Sequence, residues 1–261
     1  MDDLEVAVEA ARAGAEVVRH WFRRVGSADY KGVGNPVTVA DRESEAAILE
    51  VIHQHRPDDE VLAEEGGGAQ TRSGRRWVID PLDGTVNFVH GIPQCAVSVA
   101  VEDDLGSLAG VVIDPFRGEE FAAERGRGAH LDGDPIRVSQ QDDIGRALLC
   151  TGFAYDRHLH SRVLADAVAA AIGIAQDVRR MGAAALDLAW VACGRLDGHW
   201  EFGLAPWDVA AGSLLVTEAG GRVTDSYGER FRPEDLVATN GLIHDALQQL
   251  VAAHRPQHRA R

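Results

Sequence analysis

Three cysteines in 261 residues, Cys95, Cys150 and Cys193, are too few and too far apart for a disulfide framework, and none forms a C-x-x-C pair for zinc or redox work. Set in apolar sequence, they read as buried free thiols. Also missing is any apolar run near the roughly 20 residues that a membrane-spanning helix needs. The N-terminus, Met1-Asp-Asp-Leu-Glu, is acidic where a secretory signal is basic, so the expectation is a cytoplasmic protein with no membrane partner. Basic residues are the minority, 26 Lys and Arg against 41 Asp and Glu, for a formal charge of −15. A nucleic-acid backbone is therefore excluded as the main partner, because such binders need a basic face that displaces counterions. The basic cluster from His254-Arg255-Pro256 to Arg261 reads as a frayed tail. Repeats, low-complexity stretches and Pro/Ser-rich linkers are absent. What is present is 45% hydrophobic content, enough for a sizeable core, which excludes a disordered or fibrous chain.

Periodicity divides the chain. Leu4, Ala7, Val8, Ala11, Ala15, Val18 and Phe22 recur at helical spacing, which predicts an amphipathic helix over 4–24. A second helix is expected from an N-cap at Asp41 through Ile48, Leu49 and Ile52 to Pro57, with a loop over Lys31–Pro36 before it. From residue 60 the pattern turns to short β-rich runs at Val61–Ala63, Trp77–Ile79, Cys95–Val101, Leu108–Ile113 and Glu120–Ala123. Asp132-Gly-Asp-Pro135 marks a hairpin. Beyond Leu148–Cys150, helices over 159–175, 183–193, from Trp207 to Gly220 and from Leu242 alternate with strands at 176–179, 196–201, 222–224 and 237–239. Helices layered against two sheets fit this order.

The chemistry concentrates in Trp77-Val-Ile-Asp80-Pro-Leu-Asp83-Gly-Thr85. A strand ending at Asp80, with Pro81 preventing its continuation, lets Asp80 and Asp83 turn toward one point. Hard oxygen donors at such a point suit magnesium, and the Leu82 carbonyl at the apex is a further candidate ligand. Backbone N–H groups of Gly84 and Thr85 would face an anion, with no Cβ in the way at Gly84. Taken alone, the motif reads equally as a turn capped by Asp80. Further acids tip the balance. Glu64 and Glu65 end the run Val61-Leu-Ala63 just before Gly66-Gly67-Gly68, and Asp208 opens the apolar helix Trp207-Asp208-Val-Ala-Ala-Gly212. Ser98 and Ser213 sit in apolar runs, and the cysteines lack a basic setting, so no competing nucleophile is evident. His53/His55 and His158/His160 fall in helical or loop sequence and read as solvated.

In order and spacing, Asn35–Asp41, Ala63-Glu64-Glu65-Gly66, Trp77–Pro93, Trp207–Gly212 and Glu218–Gly221 resemble the inositol monophosphatase family. That family stands within the metal-dependent, lithium-sensitive phosphatases that include fructose-1,6-bisphosphatase. The resemblance implies an α+β fold, a layered αβαβα sandwich of the inositol monophosphatase and sugar phosphatase type. It implies one phosphatase unit over 1–261, with an N-terminal α+β part to about 140 holding most metal ligands, a C-terminal α/β part over about 141–255 with Glu201 and Asp208, and a tail at 256–261. Glu64, Asp80, the carbonyl of Leu82, Asp83 and Asp208 are thereby implied as ligands for two or three Mg²⁺ ions per subunit, with Asp41 in the outer network and Li⁺ as an inhibitor. Glu64 and Thr85 would activate the attacking water, with Asp83 beside them in the catalytic group, while the Gly84 and Thr85 backbone holds phosphate. Glu201, Gly182, Ala183, Ala184 and Asp208 would line the pocket for a polyol. At Ala183 the family often carries Ser or Thr, and the Lys31–Asp41 loop is about one residue shorter than in some relatives.

The reaction so implied is hydrolysis of a small-molecule phosphate monoester, first of all myo-inositol monophosphate, by in-line attack of water without a phosphoenzyme. Histidinol phosphate, a nucleotide 3′-phosphate and fructose 1,6-bisphosphate are alternative substrates. A role as regulatory partner of a transcription complex is the alternative of another class. A homodimer is implied by the resemblance alone.

Overall fold

The computed structural model describes residues 1–66 and 74–256, so Gly67-Gly68 and the tail beyond Pro256 lie outside the described residues. In chain order the elements are α1 (Asp3–Trp21), β1 (Asp29–Gly32), β2 (Asn35–Val37), α2 (Val39–His55), β3 (Glu60–Ala63), β4 (Arg76–Asp83), α3 (Thr85–Val89) and β5 (Ala96–Asp103). They continue with β6 (Gly106–Asp114), β7 (Glu119–Glu124), β8 (Gly128–Leu131), β9 (Asp134–Ile136), β10 (Leu148–Thr151), α4 (Arg157–Ile172) and β11 (Asp177–Arg179). The last are α5 (Ala184–Ala192), β12 (Gly198–Phe202), α6 (Pro206–Glu218), β13 (Arg222–Thr224), β14 (Asp235–Thr239) and α7 (His244–Ala253).

A seven-stranded sheet runs in order β3-β4-β5-β6-β7-β8-β9, and a five-stranded sheet in order β11-β10-β12-β14-β13. Strand periodicity decides what each face meets. In β5, Val97, Val99 and Val101 point to the α1–α2 layer, whereas Ala96 and Ala100 point to the α5–α6 layer between the sheets. Across that layer, Leu236 and Ala238 of β14 close the central core. On the outer side of the second sheet, Trp200 and Val237 pack with Leu247 and Val251 of α7 and Ala171 of α4. The layers are thus helix, sheet, helix, sheet, helix, the expected α+β sandwich. No helix among the described residues is long and apolar enough to cross a membrane.

Small residues set the approach of α1 to α2. Val6, Ala7, Ala10, Ala11, Gly14, Ala15 and Val18 form the buried face, rotated from the expected one, which had included the half-buried Leu4 and Val8. A Cβ at Gly14 would lie 2.8 Å from Ile48 Cδ1 and from Ser44 Oγ, so only glycine allows this contact. The close approach lets Ser44 Oγ donate to the carbonyl of Pro81 at 2.8 Å, tying α2 to the acidic turn.

Four local expectations are corrected. The helix over 4–24 ends at Trp21, with Phe22 as C-cap. The segment Lys31–Pro36 is a two-stranded hairpin, β1 against β2. Thr38 is the N-cap of α2, and Asp41 stands three residues inside it, accepting from the Thr38 backbone N–H at 2.7 Å. Strand β4 does not stop at Asp80: pairing resumes at Asp83, after a bulge that places Asp80 opposite Ser98 and Asp83 opposite Ala96. Pro81 is tolerated in this central strand because the bulge frees it from donating to the ladder. The thiols of Cys95 and Cys150 are buried as expected, but Cys193 is only half-buried.

Candidate metal centre and adjoining cavity

Four acids are delivered by three different elements. Glu64 follows the end of β3, Asp80 and Asp83 flank the bulge of β4, and Asp208 sits in the first turn of α6. The three aspartates are each held by a backbone N–H. Asp80 Oδ1 accepts from Leu82 N–H at 3.0 Å, Asp83 Oδ2 from Ala185 N–H at 2.8 Å, and Asp208 Oδ2 from Ala205 N–H at 2.7 Å. Pro206 at the start of α6 needs no partner for a missing donor there.

Their carboxyl groups act on one another. Burial first, then the charges of Glu64, Asp83 and Asp208, push the Asp80 carboxyl well above its ordinary range. Asp83 is raised in the same way, by burial and then by Asp208. Burial, with Glu64 and Glu201 adding to it, carries Asp208 up to about 7, although Ala205 N–H and a hydrogen bond with Asp80 oppose the shift. Glu64 is raised by burial against the pull of Lys31, whose Nζ lies 3.2 Å from Glu64 Oε1 and also pairs with Glu65. Lys31 thus reaches the outer acid, not the deeper three.

Buried carboxylates repelling one another are stable together only when protonated or when a cation lies among them. An all-oxygen donor set of this kind fits a hard divalent cation such as magnesium. The Leu82 side chain is 1% exposed and packs in the α1–α2 core, so only its carbonyl is free to serve. That carbonyl accepts from Thr85 Oγ1 at 3.0 Å. Asp41, 1% exposed, stands behind: its Oδ1 lies 3.0 Å from the same Thr85 hydroxyl, and burial raises its carboxyl against the bonds from Thr38 and Thr85.

Beside the acids opens a cavity of about 380 Å³ lined by Asp83, Gly84, Gly182, Ala184, Glu201 and Asp208. Gly84 caps the short α3 with φ +89°, and a Cβ there would lie 2.9 Å from the carbonyl of Gln94. Asn87 Nδ2 donates to the carbonyls of Gln94 and Met181, so α3 is fastened to the loop that carries Gly182. Glu201 is packed against Gly152, where an added Cβ would fall 2.0 Å from Glu201 Oε2. Of the expected pocket residues, Ala183 stands apart. It is fully buried behind the cavity, its Cβ directed at Gly84, so it offers no side chain to a ligand.

Sequence reasoning missed the residues of the far wall, Phe153, Tyr155, Arg157 and Arg180, which lie on loops and at the start of α4. Their tie to the acids has a legible trace only in space: burial, and then the charges of Glu64, Asp80, Asp83 and Asp208, push the Tyr155 hydroxyl upward. Arg180 stacks over Phe153 at 5.5 Å. His53 and His55 close α2 and His158 and His160 open α4; His53 and His158 are exposed as expected, whereas His55 and His160 are half-buried, 3.5 Å from Glu9 Oε2 and 3.7 Å from Asp156 Oδ2.

Comparison with known proteins points one way. A model of the inositol monophosphatase family matches residues 2–260. An inositol-1-monophosphatase of Synechocystis sp. is 45% identical over 255 residues, covering 96% of this chain and 88% of that protein. The Nus factor SuhB of Pseudomonas aeruginosa is 41% identical, covering 97% of each. The solved structure of an inositol monophosphatase from Anabaena (Nostoc) sp. superposes with a TM-score of 0.88 at 40% identity, over 97% of this chain and 96% of that one.

Proposed function

The chain belongs to the inositol monophosphatase family, and from that premise we propose that it is a magnesium-dependent phosphatase that hydrolyses inositol monophosphate to inositol and phosphate. The observation that carries this reading is the convergence of Asp80, Asp83 and Asp208, mutually raised in pKa, at the edge of a polar cavity. Glu64, Asp80, the Leu82 carbonyl, Asp83 and Asp208 would hold two or three Mg²⁺ ions per subunit, with Asp41 in the outer network and Li⁺ as a competitor for one place. When bound, the metal supplies positive charge for the phosphoryl oxygens and lowers the pKa of water.

The chain's own residues supply position and proton traffic. Backbone N–H groups of Gly84 and Thr85 face the phosphate, because the positive φ of Gly84 turns the strand end into the first turn of α3. Glu64 and the Thr85 hydroxyl orient the attacking water. Thr85 Oγ1 can take up the proton of that water and pass its own to Asp41 Oδ1, 3.0 Å away, whose carboxyl is raised and so able to keep it. Glu201, with Gly182 and Ala184 on the opposite wall, receives the alcohol portion. Arg180 and Arg157 add positive charge to a cavity otherwise rich in carboxylates.

Asp83→Asn tests the reading, since it removes a ligand charge while keeping the shape that accepts Ala185 N–H. Phosphate release with magnesium should fall on the order of a thousandfold or more, with the melting transition preserved. Near-normal turnover of the variant, or full activity of the parent in EDTA, would sink it. Assaying inositol phosphate beside histidinol phosphate, a nucleotide 3′-phosphate and fructose 1,6-bisphosphate ranks the substrates by kcat/KM. We propose that the two halves, joined near residue 140, act as one catalytic unit in the cytoplasm, paired as a homodimer. A second reading attaches to the relative named a Nus factor: a role as protein partner in transcription. Co-purification with RNA polymerase that survives Asp83→Asn would support it.

A further inference from the structure

Behind Glu201 lies a polar group that the hydrolysis does not use. His199 and Glu201, two residues apart on β12, point to the same side, into the layer occupied by α5. The His199 ring is fully buried, as is Asp187 of α5. Its Nε2 lies 3.5 Å from Glu201 Oε2 and its Nδ1 lies 3.9 Å from Asp187 Oδ2. Among the described residues, neither ring nitrogen and neither Asp187 oxygen has a hydrogen-bond partner, so both pairs stand just beyond bonding reach. Cys150, opposite His199 on β10, faces Asp187 as well, but a thiol is a weak donor. Arg180 acts on Asp187 from the cavity wall.

A buried carboxylate and a buried imidazole left unsatisfied side by side are costly, and a small closure of the two gaps satisfies both. We propose that His199 is a positioning and specificity residue: its ring bridges Asp187 and Glu201, donating from both nitrogens, and so fixes Glu201 and neutralises its charge toward the cavity. This deepens the assignment of Glu201 to the alcohol portion of the substrate and rests on it. The consequence concerns ligand class. A bare buried glutamate at the cavity wall favours a ligand that brings its own cation, such as an amino alcohol phosphate. A glutamate already paired with an imidazolium favours uncharged hydroxyls, which can donate to its remaining oxygen without supplying charge. Charge balance agrees: burial lifts Asp187 to about 7 even with the His199 ring beside it pulling in the opposite direction. A soft metal ion held by Cys150, Asp187 and His199 is the competing account of this cluster. The zinc content of the purified chain separates the two accounts.

The test uses the full chain, its turnover of inositol phosphate measured first. In His199→Gln, KM for inositol phosphate should rise more than kcat falls, and the ratio of kcat/KM for histidinol phosphate over inositol phosphate should shift toward the amine by about tenfold or more. Should His199→Gln fail to fold, the double variant Asp187→Asn with His199→Gln removes the stranded charge and is assayed in its place. Independently of activity, nitrogen NMR of the ring in the parent should show both nitrogens carrying hydrogen at neutral pH. An unchanged substrate ratio in a folded variant, a ring with one protonated nitrogen, or one zinc per chain that is lost with Cys150→Ser would each overturn the proposal. If the parent does not turn over inositol phosphate at all, the substrate assignment fails, and the NMR signature still decides the bridge.

Discussion

At the scale of single residues, the site depends on side chains that are small as much as on those that are acidic. Gly152 is the clearest case. The space its missing Cβ leaves is filled by the Glu201 carboxylate, which an added methyl would meet at 2.0–2.3 Å. The far end of a glutamate can swing away, so Gly152→Ala should leave folding nearly intact but displace the group proposed to receive the alcohol. KM for inositol phosphate should rise by about tenfold with a melting temperature within a few degrees of the parent, whereas an unaltered KM would place Glu201 outside the substrate pocket. Glu201 and Asp208 were legible in the sequence through the motif they stand in. Gly152 and His199 were not, because a glycine before a loop and a histidine in an apolar strand announce no partner until the strands are paired.

Among the elements, α6 is the hinge of the arrangement. It lies between the two sheets, carries Asp208 at its N-terminus, and packs on α5, whose first turn donates the Ala185 N–H to Asp83. Its approach to α5 is set by Gly212, where a Cβ would fall 2.6 Å from Leu188 Cβ. Gly212→Val must therefore push the two helices apart. A loss of about 1–3 kcal/mol in urea unfolding is expected, together with weaker magnesium binding, since Asp208 moves relative to Asp83. Unchanged stability would mean that the interface has slack that its packing does not suggest. Both helices were expected from the sequence, α6 by its Gly220-Gly221 stop. Their contact was hidden, since both are apolar on nearly all sides and no stripe marks which face meets which. The bulge in β4 was hidden for a related reason: a proline reads locally as a stop, and only pairing to β5 shows the strand resuming at Asp83.

For the whole molecule, the acid cluster links stability to pH and to metal. Folded-state pKa values of Asp80, Asp83 and Asp208 lie above those of the unfolded chain, with Asp208 at about 7. Below neutral pH the fold accordingly holds protons that the unfolded chain has released, so stability rises as pH falls from the folded value toward the ordinary carboxylate range near 4. In EDTA the protein should melt roughly 5 °C higher at about pH 5.5 than at about pH 7.5, and magnesium should remove most of that difference by stabilising the neutral sample. A metal-free protein whose melting temperature climbs with pH over this range would contradict the crowding of unpaired acids. The excess of 15 negative charges adds a general repulsion in the same direction, but the magnesium dependence separates the two.

The sequence by itself determined the layered class of the fold and most of its elements within a few residues, the β1–β2 hairpin excepted, and it singled out the acids proposed for one site, because local pattern and motif spacing are written along the chain. Tertiary structure alone decided how deep each acid lies, that Thr85 is joined to Asp41, that Lys31 reaches Glu64, and that His199 stands between Asp187 and Glu201. Those relations join residues far apart in sequence or faces set by packing. They depend on which strands pair and how closely helices approach, and these distances are fixed by the core as a whole rather than by any segment of it.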